Sequence, residues 1–74
     1  MNEQDIKELE TLIDKAWQEF SQIAEEEENE GYSDITLSVD RAEANGFAVG
    51  LETAYRILLG NSYITKTTVY KQDE

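Results

Sequence analysis

Between Asn2 and Ala24 the apolar residues fall at Ile6, Leu9, Ile13, Ala16, Phe20 and Ile23, in alternating steps of three and four. That spacing aligns them on one helical seam, and Leu12, Trp17 and Ala24 widen the seam into the stripe of a helix that packs on a core. Glu3 and Lys7, one turn apart among the polar positions, form a favourable pair. The pattern predicts a first helix over about residues 2–28. The run Glu25-Glu26-Glu27-Glu28-Asn29-Glu30 closes it, with carboxylates that oppose the macrodipole, and Gly31 offers a stop.

Ile35, Leu37 and Val39 alternate as in a strand, yet Ile35, Val39 and Ala42 fit helical spacing equally well, so residues 31–39 read as a linker or short strand. A second helix is predicted over about residues 40–59, with Ser33 or Asp40 as its candidate cap and Asp40-Arg41-Ala42-Glu43 fitting a capping box. On a helical wheel its apolar residues span an arc of roughly 220°. One flank is small, with Ala42, Gly46, Gly50 and Ala54 at steps of one turn; the other is bulky, with Leu51, Tyr55 and Leu59. Each glycine costs about 1 kcal/mol of helix stability relative to alanine, which a close contact must offset. One antiparallel neighbour covers a narrower stripe than this arc, so the two flanks are expected to meet different partners, the first helix and a second copy of the chain. Gly46, Phe47, Gly50, Leu51, Ala54, Tyr55 and Leu58 form the expected packing and oligomer set.

Gly60-Asn61-Ser62 ends the second helix, and residues 63–70, rich in β-branched and aromatic side chains, read as a strand that must pair or remain a tail. The expected fold is therefore mainly α: a single domain over residues 1–74, a two-helix antiparallel hairpin with a short C-terminal β-strand, in a homo-oligomer, most simply a dimer.

Size sharpens that expectation. A 74-residue monomer buries only about 60% of the surface its unfolded chain exposes. With no cysteine and no histidine, disulfides and a zinc site are closed to it, which leaves self-association as reinforcement. No apolar run approaches the roughly 18 residues that span a membrane, and the acidic Met1-Asn2-Glu3-Gln4-Asp5 start is unlike a secretory signal, so a cytoplasmic protein is expected. Seventeen acids against six bases give a net charge of -11. Such a chain repels nucleic acid and anionic lipid and favours a basic protein partner.

The same composition bears on chemistry. Histidine and cysteine, the usual bases and nucleophiles at neutral pH, are missing, so no enzyme is expected. Phosphate-loop, dinucleotide and calcium-loop motifs are absent from the sequence, so neither cofactor nor metal is expected. Trp17, Phe20, Phe47 and Tyr55 read as core aromatics. Arg41 and Arg56 stand out among scarce bases: Glu52, one turn before Arg56, suggests a surface ion pair, whereas either arginine in a groove between subunits would clamp a phosphate. Glu43 reads as a first-turn capping acid.

Gly46-Phe-Ala-Val-Gly-Leu-Glu-Thr-Ala-Tyr-Arg-Ile-Leu-Leu59 resembles the C-terminal helix of many small, acidic proteins encoded by bacteriophages. Proteins of that kind include inhibitors of bacterial defence, among them anti-CRISPR proteins that imitate nucleic acid and small oligomeric sponges for signalling nucleotides. The resemblance thus implies an anti-defence protein acting in the host cytoplasm. Three functions are expected. Charge favours an inhibitor that presents Glu25, Glu26, Glu27, Glu28 and Glu30 to a basic nucleic-acid channel of a host protein. The alternatives are a nucleotide sponge using Arg41, Arg56 and Lys66, and a structural oligomer or adaptor.

Overall fold

The computed structural model describes residues 2–29 and 39–69. Two helices, α1 (Glu3–Asn29) and α2 (Val39–Leu59), pack antiparallel, as shown by cross-helix contacts running from Glu10–Tyr55 through Trp17–Glu52 to Glu27–Arg41. The helices make up 81% of the described residues. The molecule measures 44 × 20 × 17 Å, its long dimension set by α1, since 27 residues at about 1.5 Å each reach about 40 Å.

Local signals place the helix ends. Asn2 caps α1: its side-chain oxygen accepts the Asp5 N–H at 2.9 Å and its carbonyl accepts the Ile6 N–H at 3.1 Å, satisfying donors that a helix start leaves open. Gly60 ends α2 at φ 77°, its N–H donating to the Arg56 carbonyl at 2.8 Å. Glycine takes that left-handed conformation without a Cβ penalty. α2 begins at Val39, so Asp40 lies within the first turn and is not the cap of a capping box. Of the linker or short strand expected at 31–39, Val39 is instead the first residue of α2, and residues 31–38, with Gly31 and Ser33, lie outside the described residues.

The α1 seam packs as its spacing predicts, but Leu12, expected to widen it, is 47% exposed. Ile13, Ala16 and Ala24 are buried, and Ile6, Leu9, Trp17, Phe20 and Ile23 are half-buried. α2 meets it with buried Arg41, Ala48 and Tyr55, and with half-buried Ala44, Leu51, Glu52 and Leu59. Alanines, not glycines, thus provide the close approach within the chain. The ladder Ala42, Gly46, Gly50 and Ala54 is exposed, and a Cβ added at Gly46 or Gly50 meets nothing within 4 Å. The reason is angular: Gly50 lies about 160° around the helix from Ala48, which is turned to α1.

The expected C-terminal strand is not formed. Residues 60–69 contain no strand, and Tyr70 lies outside the described residues. The segment nevertheless keeps the alternation that suggested a strand: Tyr63, Thr65, Thr67 and Val69 are half-buried, while Ile64, Lys66 and Thr68 are exposed. Tyr63, Thr65 and Thr67 bond to Asp14 of α1 instead of to a neighbouring strand, and Tyr63 also packs on Tyr55 of α2, so polar contacts to one acid replace a backbone ladder.

Candidate functional site

Charge is distributed unevenly along the hairpin. From Ala16 to Asn29 and from Val39 to Tyr55 the described residues carry eight acids, Glu19, Glu25, Glu26, Glu27, Glu28, Asp40, Glu43 and Glu52, against one base, Arg41. That base is buried. Its Nε lies 3.6 Å from Glu27 Oε1, with the two side chains 10% and 11% exposed, and its guanidinium sits 5.9 Å from the centre of the Phe20 ring. Trp17 meets the same ring edge-on, with centroids 5.5 Å apart and planes at 87°. An arginine held between a carboxylate and an aromatic ring thus joins the helices near the turn end of the hairpin.

This arrangement revises the sequence-derived site. Glu25, Glu26 and Glu28 are exposed as expected, but Glu27 faces inward to Arg41, and Glu30 lies outside the described residues. Arg41 is therefore engaged within the chain and does not present a ligand clamp. Arg56 is exposed and makes no ion pair among the described residues. The expected partner, Glu52, instead accepts the Trp17 indole N–H at 2.9 Å. Arg56 borders an open cavity of about 200 Å³ with Thr53, Ser62 and Tyr63.

A second depression lies at the acidic end. Glu19 and Ile23 of α1 and Asp40, Glu43, Ala44 and Phe47 of α2 line an open groove of about 310 Å³. Glu43, expected as a capping acid, stands on its rim. Phe47, expected in the core, is 58% exposed. Of the expected packing set, Leu51 and Tyr55 face α1, while Gly46, Phe47, Gly50, Ala54 and Leu58 are exposed.

Asp14 is the functional-looking residue that sequence reasoning missed. Its Oδ2 accepts the Tyr63 hydroxyl at 2.8 Å, and its Oδ1 accepts the Thr65 hydroxyl at 2.6 Å and the Lys66 N–H at 3.0 Å. The Asp14 carbonyl accepts the Thr67 hydroxyl at 3.1 Å. Burial alone would raise the carboxyl, but the hydrogen bonds from Thr65, Tyr63 and Lys66, with the Lys66 charge, outweigh it and hold the pKa below its ordinary value. Burial and the bond to Asp14, with nearby negative charge, push the Tyr63 phenol up to about 12. The Tyr55 hydroxyl, raised chiefly by its bond to Glu10 and then by burial, donates to Glu10 Oε2 at 2.7 Å. The available signal was the hydroxyl on every second residue from Tyr63 to Thr67, which suits a single acceptor site on a neighbouring element.

Among the described residues, no group of acids is placed to hold a metal ion, and no helix is long and apolar enough to cross a membrane. The chain matches no family model, no curated protein and no solved structure at significant similarity.

Proposed function

We propose that this chain is a non-enzymatic acidic interaction protein that docks, through the turn end of its helical hairpin, on a basic nucleic-acid-binding surface of another protein. The observation that supports this most directly is the segregation of charge: Glu19, Glu25, Glu26, Glu28, Asp40 and Glu43 are exposed on that half of the described hairpin, whose one base is buried against Glu27. Carboxylates uncompensated over such a surface project a negative field that steers a basic partner into contact, as the phosphates of a nucleic acid do. Occupying the basic surface excludes its nucleic acid, which makes the protein an inhibitor. The phage-type anti-defence role implied by the resemblance, acting in the host cytoplasm, is one instance of this chemistry.

The test is to replace Glu25, Glu26 and Glu28 by glutamine, leave Glu27 paired, and compare association of both forms with a captured basic nucleic-acid-binding protein at low and high salt. Association of the variant is expected to slow by about tenfold at low salt and to depend less on salt, with the helical content unchanged. An unchanged rate and salt slope would reduce the run to a solubilising feature.

A second reading, the structural oligomer, has its own support. Away from α1, α2 stays apolar from one flank to its outer side, with Phe47 and Leu58 (58% and 60% exposed) on the flank and Ile57 (73%) on the outer side beside the Gly46–Gly50 ladder. That face suits a second copy, and light scattering at micromolar concentration that gives a clean 8.5 kDa species would remove it. The nucleotide sponge draws no comparable support, because Arg41 lies against Glu27 and Phe20.

A further inference from the structure

Along one side of the hairpin end, Ile23, Ala44 and Phe47 give the 310 Å³ groove an apolar floor, and Glu19, Asp40 and Glu43 give it carboxylates on both rims. Glu19, Ile23 and Glu26 succeed one another at steps of four and three on α1, so Glu26 continues the α1 rim toward the hairpin end. We infer that this groove seats an arginine side chain of the basic partner, its aliphatic stem on Ile23 and Phe47 and its guanidinium against the Phe47 ring and the rim carboxylates. The inference rests on the acidic-docking reading and names the contact at which that docking becomes specific.

Three observations point to this occupant. The rim excludes anions, and among the described residues no acids are gathered closely enough for a metal ion, so the complementary charge belongs to an extended organic cation. The apolar floor favours a cation that carries hydrocarbon, which Arg and Lys side chains do, and arginine's planar, weakly hydrated head also stacks on aromatic faces. The chain already contains the same combination one layer deeper, where Arg41 lies between the Phe20 ring and the Glu27 carboxylate. At about 310 Å³ the groove sits at the lower edge of the roughly 300–1,000 Å³ range of small-molecule sites, a size suited to one side chain.

The experiment is an NMR titration of the full chain with a short glycine-flanked peptide carrying one arginine, beside the same peptide with neutral citrulline. The arginine peptide is expected to shift the amides of Ile23, Glu43, Ala44 and Phe47, and the citrulline peptide to leave them in place. Glu19→Gln with Glu43→Gln, at exposed positions, should weaken the arginine peptide about fivefold or more, and Phe47→Ser should weaken it at constant charge. Shifts confined to Glu25–Glu28, or equal affinities for the three proteins, overturn the groove. Polyarginine as a second probe separates the two ideas. If it still binds with strong salt dependence while the single-arginine peptide leaves the groove unmoved, the groove fails and acidic docking stands; if neither binds, both fail.

Discussion

Asp14 fastens the C-terminal segment to α1 with one carboxylate and one carbonyl, and the protonation of that carboxylate governs the attachment. Its folded pKa is lowered from 3.8, so the stability it contributes is fully present above about pH 4 and is lost as pH falls through the lower folded value. Tyr63 works in the opposite sense. Its folded pKa is raised from 10.0 to about 12, so its contribution is complete below pH 10 and disappears as pH rises through about 12. In a spectrophotometric titration of the four tyrosines, the last phase is expected to belong to Tyr63 and to vanish in Tyr63→Phe. Asp14→Ala should bring that phase back toward the ordinary range and cost about 1 kcal/mol, solvent screening of the half-exposed carboxylate being allowed for. A Tyr63 phase that stays put in Asp14→Ala would detach the phenol from this acid.

At the scale of elements, the two flanks of α2 give opposite expectations for the same glycines. A Cβ at Gly46 or Gly50 meets nothing within the chain, so Gly50→Ala should raise the melting temperature, a gain of about 1 kcal/mol from helix propensity. Gly50→Leu is equally harmless to an isolated hairpin, but it overpacks a close crossing with a second copy by about 1–3 kcal/mol. Thermal melts and light scattering on both variants therefore report which surface the ladder serves. Both helices were legible in the sequence because their apolar spacing is long and regular, and their ends lie within a residue of expectation. The segment after Gly60 was not, since alternation every second residue is shared by a strand and by an extended strap on a helix, and only the presence of a pairing edge tells them apart. The inward turn of Glu27 was half legible. Continuing the steps Ala16, Phe20, Ile23 by four reaches it, but a run of identical residues hides which member lies on the seam.

For the whole molecule, the contacts that join the helices and those that hold the strap meet at Tyr55, which donates to Glu10 and packs on Tyr63, while Trp17 and Tyr63 each serve one of them. Trp17, the one tryptophan, lies between α1 and α2 with its indole N–H on Glu52 and Phe20 at its edge, whereas Tyr63 lies on Asp14, its ring 5.6 Å from that of Tyr55. Indole emission thus reads separation of the helices, and the last phase of phenol absorbance, that of Tyr63, reads departure of the strap. In Asp14→Ala the phenol signal is expected to change while the emission maximum keeps its native position, with the red shift arriving only as denaturant parts the hairpin. Coincident changes in both signals would make strap and hairpin one cooperative unit. The chain therefore carries two optical channels of its own, and the order in which its tertiary structure comes apart can be followed without attaching a dye.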